Sequence, residues 1–333
     1  MRVLHTVSTG MVVGLAMVGT AQAAPDVVAS IKPIHGLVAA VMGDVGSPEL
    51  LVDGAGSPHN YALRPSQASS VQDADIVFWV GHSLEQFLEK ALETIGENAQ
   101  SVALSEIDGI KTLEYRDIKL AEKDTDDHEG HDHDGHDHDD HKEEASAEHD
   151  HGQDHDHADG GIDPHIWLDT DNARVMVQHI ANVLSAADSD NADTYAGNAA
   201  AFIAQLDVLN AEIEQELKPY RERQFVVFHD AYHYFEDRFG LEATAAITVS
   251  PETPPSAQRV RDMQTVLAEN NVTCVFDEPQ FEPRIITTIV EGTDINRATL
   301  DPLGVNIAEG ADFYPALIRS LSTSFTQCFA ATQ

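Results

Sequence analysis

Two sets of histidines in this 333-residue chain could bind a transition metal, and they differ in kind. Ten of them (His128, His131, His133, His136, His138, His141, His149, His151, His155 and His157) alternate with Asp and Glu between residues 124 and 159. Neutral imidazole is the commonest protein ligand for zinc and copper, and many of them on an acidic segment concentrate divalent transition metal. Seven more, His35, His59, His82, His165, His179, His229 and His233, are scattered through the rest of the chain beyond its first residues. The first set offers many interchangeable chelators. The second must be brought together by folding.

The tract cannot form a packed element. From residue 121 to 160 it has no Val, Ile, Leu, Met, Phe, Tyr, Trp or Cys to bury, so nothing offsets the entropy lost on ordering. Its 17 acidic residues against Lys123 and Lys142 leave a charge of −15 with the histidines neutral, screened within a Debye length of ~8 Å. A solvated acidic linker is the plain reading, but imidazole adds no solubility that Asp and Glu do not already supply. The spacing of His131, His133, His136 and His138 permits chelation in several registers, which predicts weak, exchangeable sites accessory to a main one.

Arg2, the apolar run 11–18 and Ala21-Gln22-Ala23 have the layout of a secretory signal peptide, residues 1–23, cleaved before Ala24. A transmembrane helix is the alternative, yet an uninterrupted apolar span of ~20 residues is missing here and elsewhere. Loss of Arg2 takes the formal charge from −38 to −39. Such acidity argues against nucleic acid or an anionic lipid surface as partner. In an oxidising compartment the pair Cys274 and Cys328 reads as a disulfide, worth roughly 4 kcal/mol in the chain-entropy account; two buried free thiols are the alternative.

The remainder reads as an α/β protein of two similar lobes, each a mostly parallel sheet flanked by helices, joined by one long rigid helix. Strands are predicted at 26–31, 49–52, 75–80 and 101–104, alternating with helices at 36–42, 65–72 and 84–95. The alternation resumes with strands at 225–228, 243–249, 273–276 and 297–300 and helices at 256–270, 283–292 and 313–329. Between them Tyr195, Ala199, Phe202, Leu206, Leu209, Ile213 and Leu217 recur at spacings of four and three, one face of a helix from 191 to 217 stopped by Pro219. At 1.5 Å per residue it spans ~40 Å, enough to brace both lobes. The expected domains are 24–187, carrying the tract at 121–160; the linking helix 188–219; and 220–333.

His59, His165 and His229 each follow a strand or open a helix, which is where open α/β sheets place ligands. Asp301 stands at the same kind of place, after the strand at 297–300. Three imidazoles plus one carboxylate or water would complete a tetrahedral zinc site. His233 lies four residues after His229 but lacks the Glu of an H-E-x-x-H motif, so it reads as solvent-facing or as a partner of a ligand. His82 reads as a surface or capping residue and His179 as structural, while His35, at the end of the first strand, is a further candidate to approach the site. Asp163, Arg64 and Glu278 are candidates to surround the ligating histidines, whose second ring N–H usually goes to a carboxylate or carbonyl.

Five ordered segments, GAGSPHNYALRPSQ (54–67), DPHIWLD (163–169), FHDAYHYFE (228–236), VFDEPQF (275–281) and TLDPLG (299–304), resemble the zinc-specific, ZnuA-type members of the cluster A-I solute-binding proteins. The resemblance implies a periplasmic component of an ABC importer, with metal held between two lobes and delivered to a membrane permease. It implies His59, His165 and His229 as zinc ligands, with His229 in the place where manganese- and iron-binding relatives tend to carry a carboxylate. Some relatives have a Glu immediately before the first His, where this chain has Pro58; Asp301 matches the family's second-lobe carboxylate and ranks first as fourth ligand, water second. Zinc-specific relatives also show a disulfide like Cys274–Cys328 and a His-rich loop like the tract, here read as a low-affinity collector or sensor. A manganese or iron(II) carrier of the same family, a zinc hydrolase and a stand-alone metal buffer are the alternatives. No recognisable nucleophile motif or phosphate loop supports an enzyme, and a monomer is expected.

Overall fold

The computed structural model describes residues 24–116, 118, 161–248, 251–281 and 284–331. The signal segment and all ten tract histidines lie outside the described residues. In the first half β1 (Val27–Ile31), α1 (Lys32–Met42), β2 (Glu49–Val52), α2 (Pro65–Asp73), β3 (Ile76–Trp79), α3 (Gln86–Thr94) and β4 (Gln100–Ala103) follow one another. Two helices come next, α4 (Thr170–Ala187) and α5 (Ala192–Leu217). The second half repeats the alternation with β5 (Phe225–His229), α6 (His233–Phe239), β6 (Ala245–Thr248), α7 (Ala257–Glu269), β7 (Cys274–Asp277), α8 (Arg284–Ile289), β8 (Asn296–Thr299) and α9 (Phe313–Ala330).

Each half builds a four-stranded sheet, ordered β2-β1-β3-β4 and β6-β5-β7-β8, and every pairing is parallel. Short apolar runs such as Val27–Ile31 and Phe225–His229 are buried along their whole length, as strands covered on both faces require. The interior strands β1 and β5 end at Ile31 and His229. The helix α1 begins at Lys32, four residues before the predicted start, because Pro33 sits in its first turn, where a fixed φ and a missing N–H cost nothing.

The apolar stripe of α5 is buried as its spacing predicts: Tyr195, Ala199, Phe202, Leu206, Leu209, Ile213 and Leu217 are at most 5% exposed. The stripe packs on α1 and α4 and on α9 from the other end of the chain. The two halves also touch directly. A Cβ on Gly36 of α1 would come within 2.8 Å of the Phe313 ring, and the Lys32 ammonium donates to the carbonyls of Val305 (3.0 Å) and Ile307 (2.8 Å). Cys274 and Cys328 form a disulfide with their Cα atoms 6.1 Å apart, fastening β7 to α9.

Candidate metal centre

His59, His165 and His229 converge. Each offers one ring nitrogen, and the three nitrogens all lie within 4.8 Å of one another. Ring centroids are 5.3 Å apart for His59–His165, 5.8 Å for His59–His229 and 5.3 Å for His165–His229. Two imidazole nitrogens on one tetrahedral zinc sit about 3.3 Å apart, given Zn–N bonds of ~2.0–2.1 Å, so capture needs only a modest drawing-in of the rings.

Local structure explains the placement of each ring. His59 rides a single turn of 3-10 helix, Pro58–Asn60, after β2, in a loop whose Gly54 takes a φ of +70° that a side chain would strain. His165 precedes a second such turn, Ile166–Leu168, which leads into α4, where the Asp169 side chain caps the helix by accepting from the Asp171 N–H at 2.8 Å. His229 is the last residue of β5. His165 and His229 are 3% and 5% exposed, whereas His59 is half-buried and forms the solvent side of the group.

Two carboxylates fix the rings. His165 Nδ1 donates to Asp163 Oδ1 at 2.7 Å, and His229 Nδ1 donates to Glu278 Oε1 at 2.7 Å. An ionised carboxylate only accepts, so facing ionised Asp163 and Glu278 each ring carries its proton on Nδ1 and presents a bare Nε2. His229 Nε2 is buried and has no hydrogen-bond partner among the described residues. Burial holds the His165 pKa well below its ordinary value, with the neighbouring His229 adding to the effect. Burial also pulls on His229, but the charge and hydrogen bond of Glu278, helped by Asp230 and Asp163, outweigh it and raise this pKa above the usual 6.5. Burial pushes Asp163 up to about 7 despite the hydrogen bond from the His165 N–H.

The rings, with Ser57, Pro58, Trp167, Glu278, Gln280, Phe281, Pro302 and Leu303, line a cavity with about 10 Å³ for a water-sized occupant. That volume suits one ion or one water. The Trp167 ring lies tilted against His165, 5.3 Å between centroids, and its indole N–H donates to the Pro302 carbonyl at 2.9 Å, tying the wall across both halves.

Other expected residues fall elsewhere. Asp301 is not among the grouped ligands: Oδ1 accepts from the N–H groups of Leu303 (3.1 Å) and Gly304 (2.9 Å) and from Gln280 Nε2 (3.0 Å), and Oδ2 from the Val305 N–H (2.6 Å). The TLDPLG segment is a turn that uses its carboxylate as a cap. Arg64 precedes α2, donates its backbone N–H to Gln67 Oε1 at 2.8 Å and its guanidinium to the Tyr61 hydroxyl at 3.4 Å, with none of the three histidines among these partners. His35 bonds the Pro48 carbonyl through Nε2 at 3.0 Å and lines a separate cavity with Glu49, Asp53 and Glu309. His82 pairs with Glu89 on the surface. His179 lies within α4, and His233 opens α6 with Nδ1 4.0 Å from Asp163 Oδ2.

Sequence reasoning missed Arg116, Asp230 and Glu236. Arg116 donates from Nε and Nη2 to Asp230, the residue after His229, and from Nη1 to Glu236 at 2.7 Å. The FHDAYHYFE segment contains both acids, but their partner is 114 positions away from Asp230 in a stretch without periodicity.

With this geometry in place, comparison with known proteins is decisive: residues 27–328 match the family described as zinc-uptake complex component A, periplasmic. The chain belongs to that family. The high-affinity zinc uptake system protein ZnuA of Brucella suis biovar 1 (strain 1330) is 44% identical over 305 residues, covering 91% of each chain. The protein of the same description from Paracoccus denitrificans (strain Pd 1222) is 38% identical over 308 residues, covering 92% of each. Among solved structures, a crystal structure of ZnuA superposes with a TM-score of 0.71 at 27% identity, over 91% of this chain and 98% of the other. A zinc-bound ZnuA lacking its own residues 138–173 gives 0.71 at 26% identity, over 93% of this chain and 100% of the other.

Proposed function

We propose that this protein captures Zn²⁺ in the periplasm and delivers it to the membrane permease of an ABC importer, using His59, His165 and His229 as ligands and a water in the fourth position. The observation that carries this reading is the convergence of three imidazoles around one small cavity, two of them locked by carboxylates so that a bare Nε2 faces inward. An all-imidazole set suits zinc, whereas manganese favours carboxylate and carbonyl oxygen. The engagement of Asp301 with its own turn is what leaves the fourth position to water.

Carriage fits better than catalysis. A catalytic zinc needs room for a substrate beside its bound water, and this cavity holds about one water-sized occupant. The acidic histidine tract acts as a low-affinity collector or sensor beside the main site, and the leader ends before Ala24. Calorimetric titration of the mature protein with zinc and manganese, with and without residues 124–159, tests the reading. One tight zinc site that survives deletion of the tract, with manganese bound far more weakly, is the expected result. Loss of the tight site with the tract would make the protein a metal buffer, and a preference for manganese would reassign the cargo.

A further inference from the structure

Residues 111–116 and 161–163, the two chain segments that flank the tract, run together. Glu114 and Ile162 form an antiparallel bridge, the Tyr115 N–H donates to the Gly161 carbonyl at 2.9 Å, and the Asp163 N–H donates to the Leu113 carbonyl at 2.8 Å. This pair is seated on α6 of the second half. The Tyr234 hydroxyl donates to the Asp163 carbonyl at 2.8 Å and accepts from the Leu113 N–H at 2.9 Å, and Lys111 pairs with Asp237.

Arg116 ends the first segment. Its guanidinium makes a fork on Asp230, with Nη2–Oδ1 at 2.7 Å and Nε–Oδ2 at 3.0 Å, and turns its remaining nitrogen to Glu236. Glu236 is fully buried, and its Oε2 also accepts the Ala243 N–H at 2.8 Å. Asp230 follows His229 through a tight turn in which the Ala231 N–H donates to the His229 carbonyl at 2.9 Å. His229 is thus flanked at two points: its ring is held by Glu278 from its own half, and the side chain of the next residue, Asp230, by Arg116 from the other.

We infer that Arg116 is a positioning residue for zinc, fixing His229 across the interface by clamping Asp230 and Glu236. This rests on the reading of His229 as a ligand. Only a planar fork can grip both carboxylates at once, and without it two poorly exposed acids stand unpaired beside the ligand. The same network reaches the other buried ligand, since Asp163, which holds the His165 ring, is bonded through Tyr234 to the helix that carries Glu236. Ring positions contributed by the two halves are thereby set against each other before the ion arrives.

The test is a set of variants, Arg116→Ala, Arg116→Lys, Asp230→Asn, Asp230→Ala and the double Arg116→Ala/Asp230→Ala, read by zinc affinity and by the visible spectrum of the Co²⁺-loaded protein. We expect Arg116→Ala to weaken zinc by about 10- to 100-fold, the range for outer-sphere partners, and to alter the cobalt bands. Lysine should recover part of the loss, and in the Asp230→Ala background the arginine change should add at most a few-fold. Should Arg116→Ala fail to fold, Asp230→Asn, which keeps shape and removes charge, must show a weaker zinc affinity and a changed spectrum. Wild-type affinity and wild-type cobalt bands in these variants, whatever happens to melting temperature, would overturn the inference, as would additive effects in the cycle. Wild-type protein that binds zinc without engaging His229 would instead refute the proposed function, so the two failures are distinguishable.

Discussion

The two halves share a sheet order yet use the same position for different ends. The central strand β1 runs out at Ile31 and hands over to Lys32, whose buried ammonium reaches the Val305 and Ile307 carbonyls of the other half. Its counterpart β5 runs out at His229, whose ring is held by Glu278 and whose Nε2 has no hydrogen-bond partner among the described residues. One strand end fastens the halves and the other offers a ligand atom. An unfilled donor is tolerable where a cargo completes it, and the closely packed seam around Lys32 and Phe313 supplies the rigidity that keeps it in place.

The sharpest way to break this comparison is His229→Ala. It removes one of three ligands and is expected to weaken zinc by more than the ~100-fold upper range for outer-sphere partners, measured by competition with a chelator. Next in size is the Cys274→Ser/Cys328→Ser pair. Opening a loop with a sequence separation of 54 should cost about 4 kcal/mol of folding stability in denaturant titrations while zinc stoichiometry stays at one, since the bridge joins β7 to α9 away from the rings.

Glu278→Gln should cost about 10- to 100-fold in affinity because the His229 ring loses its charged acceptor. It should also change the pH profile in a stated direction. The raised His229 pKa means that protons compete with zinc as pH falls through a value above 6.5, while His165, held low, stays neutral. With Glu278 neutralised, the largest influence opposing burial at His229 is gone and only Asp230 and Asp163 still raise its pKa, so the acid loss of affinity should begin at lower pH. Zinc titrations across about pH 5 to 8 will show the shift.

Lys32→Met probes the other strand end. It should lower stability by about 1–3 kcal/mol, the cost of leaving the carbonyls of Val305 and Ile307 without their donor, and leave one zinc per chain. Asp301→Asn should have the smallest effect on zinc, since its oxygens serve backbone N–H groups of the following turn.

Much of this was legible in the chain. The three histidines announce themselves by standing at strand ends or helix starts, and Asp163 and Glu278 are short-range neighbours of such places. The stripe on α5 reads directly because a helix repeats its face at fixed spacing. Asp301 shares the same kind of address, but a carboxylate followed by Pro and Gly can satisfy the N–H groups of its own turn, and local closure won over convergence. Arg64 is likewise engaged locally, with Tyr61 and Gln67 at the start of α2. Arg116 was invisible because its meaning lies wholly in acids far along the chain, and no periodicity marks its segment. The tract is the reverse case: its composition states its chemistry while specifying no arrangement.

The most direct measurement is zinc K-edge absorption on the loaded protein lacking residues 124–159, supported by anomalous scattering from its crystals. Three imidazole nitrogens and one oxygen at ~2.0–2.2 Å, with the anomalous peak between His59, His165 and His229, are predicted. A shell dominated by carboxylate oxygen, or a peak away from those rings, would contradict the account.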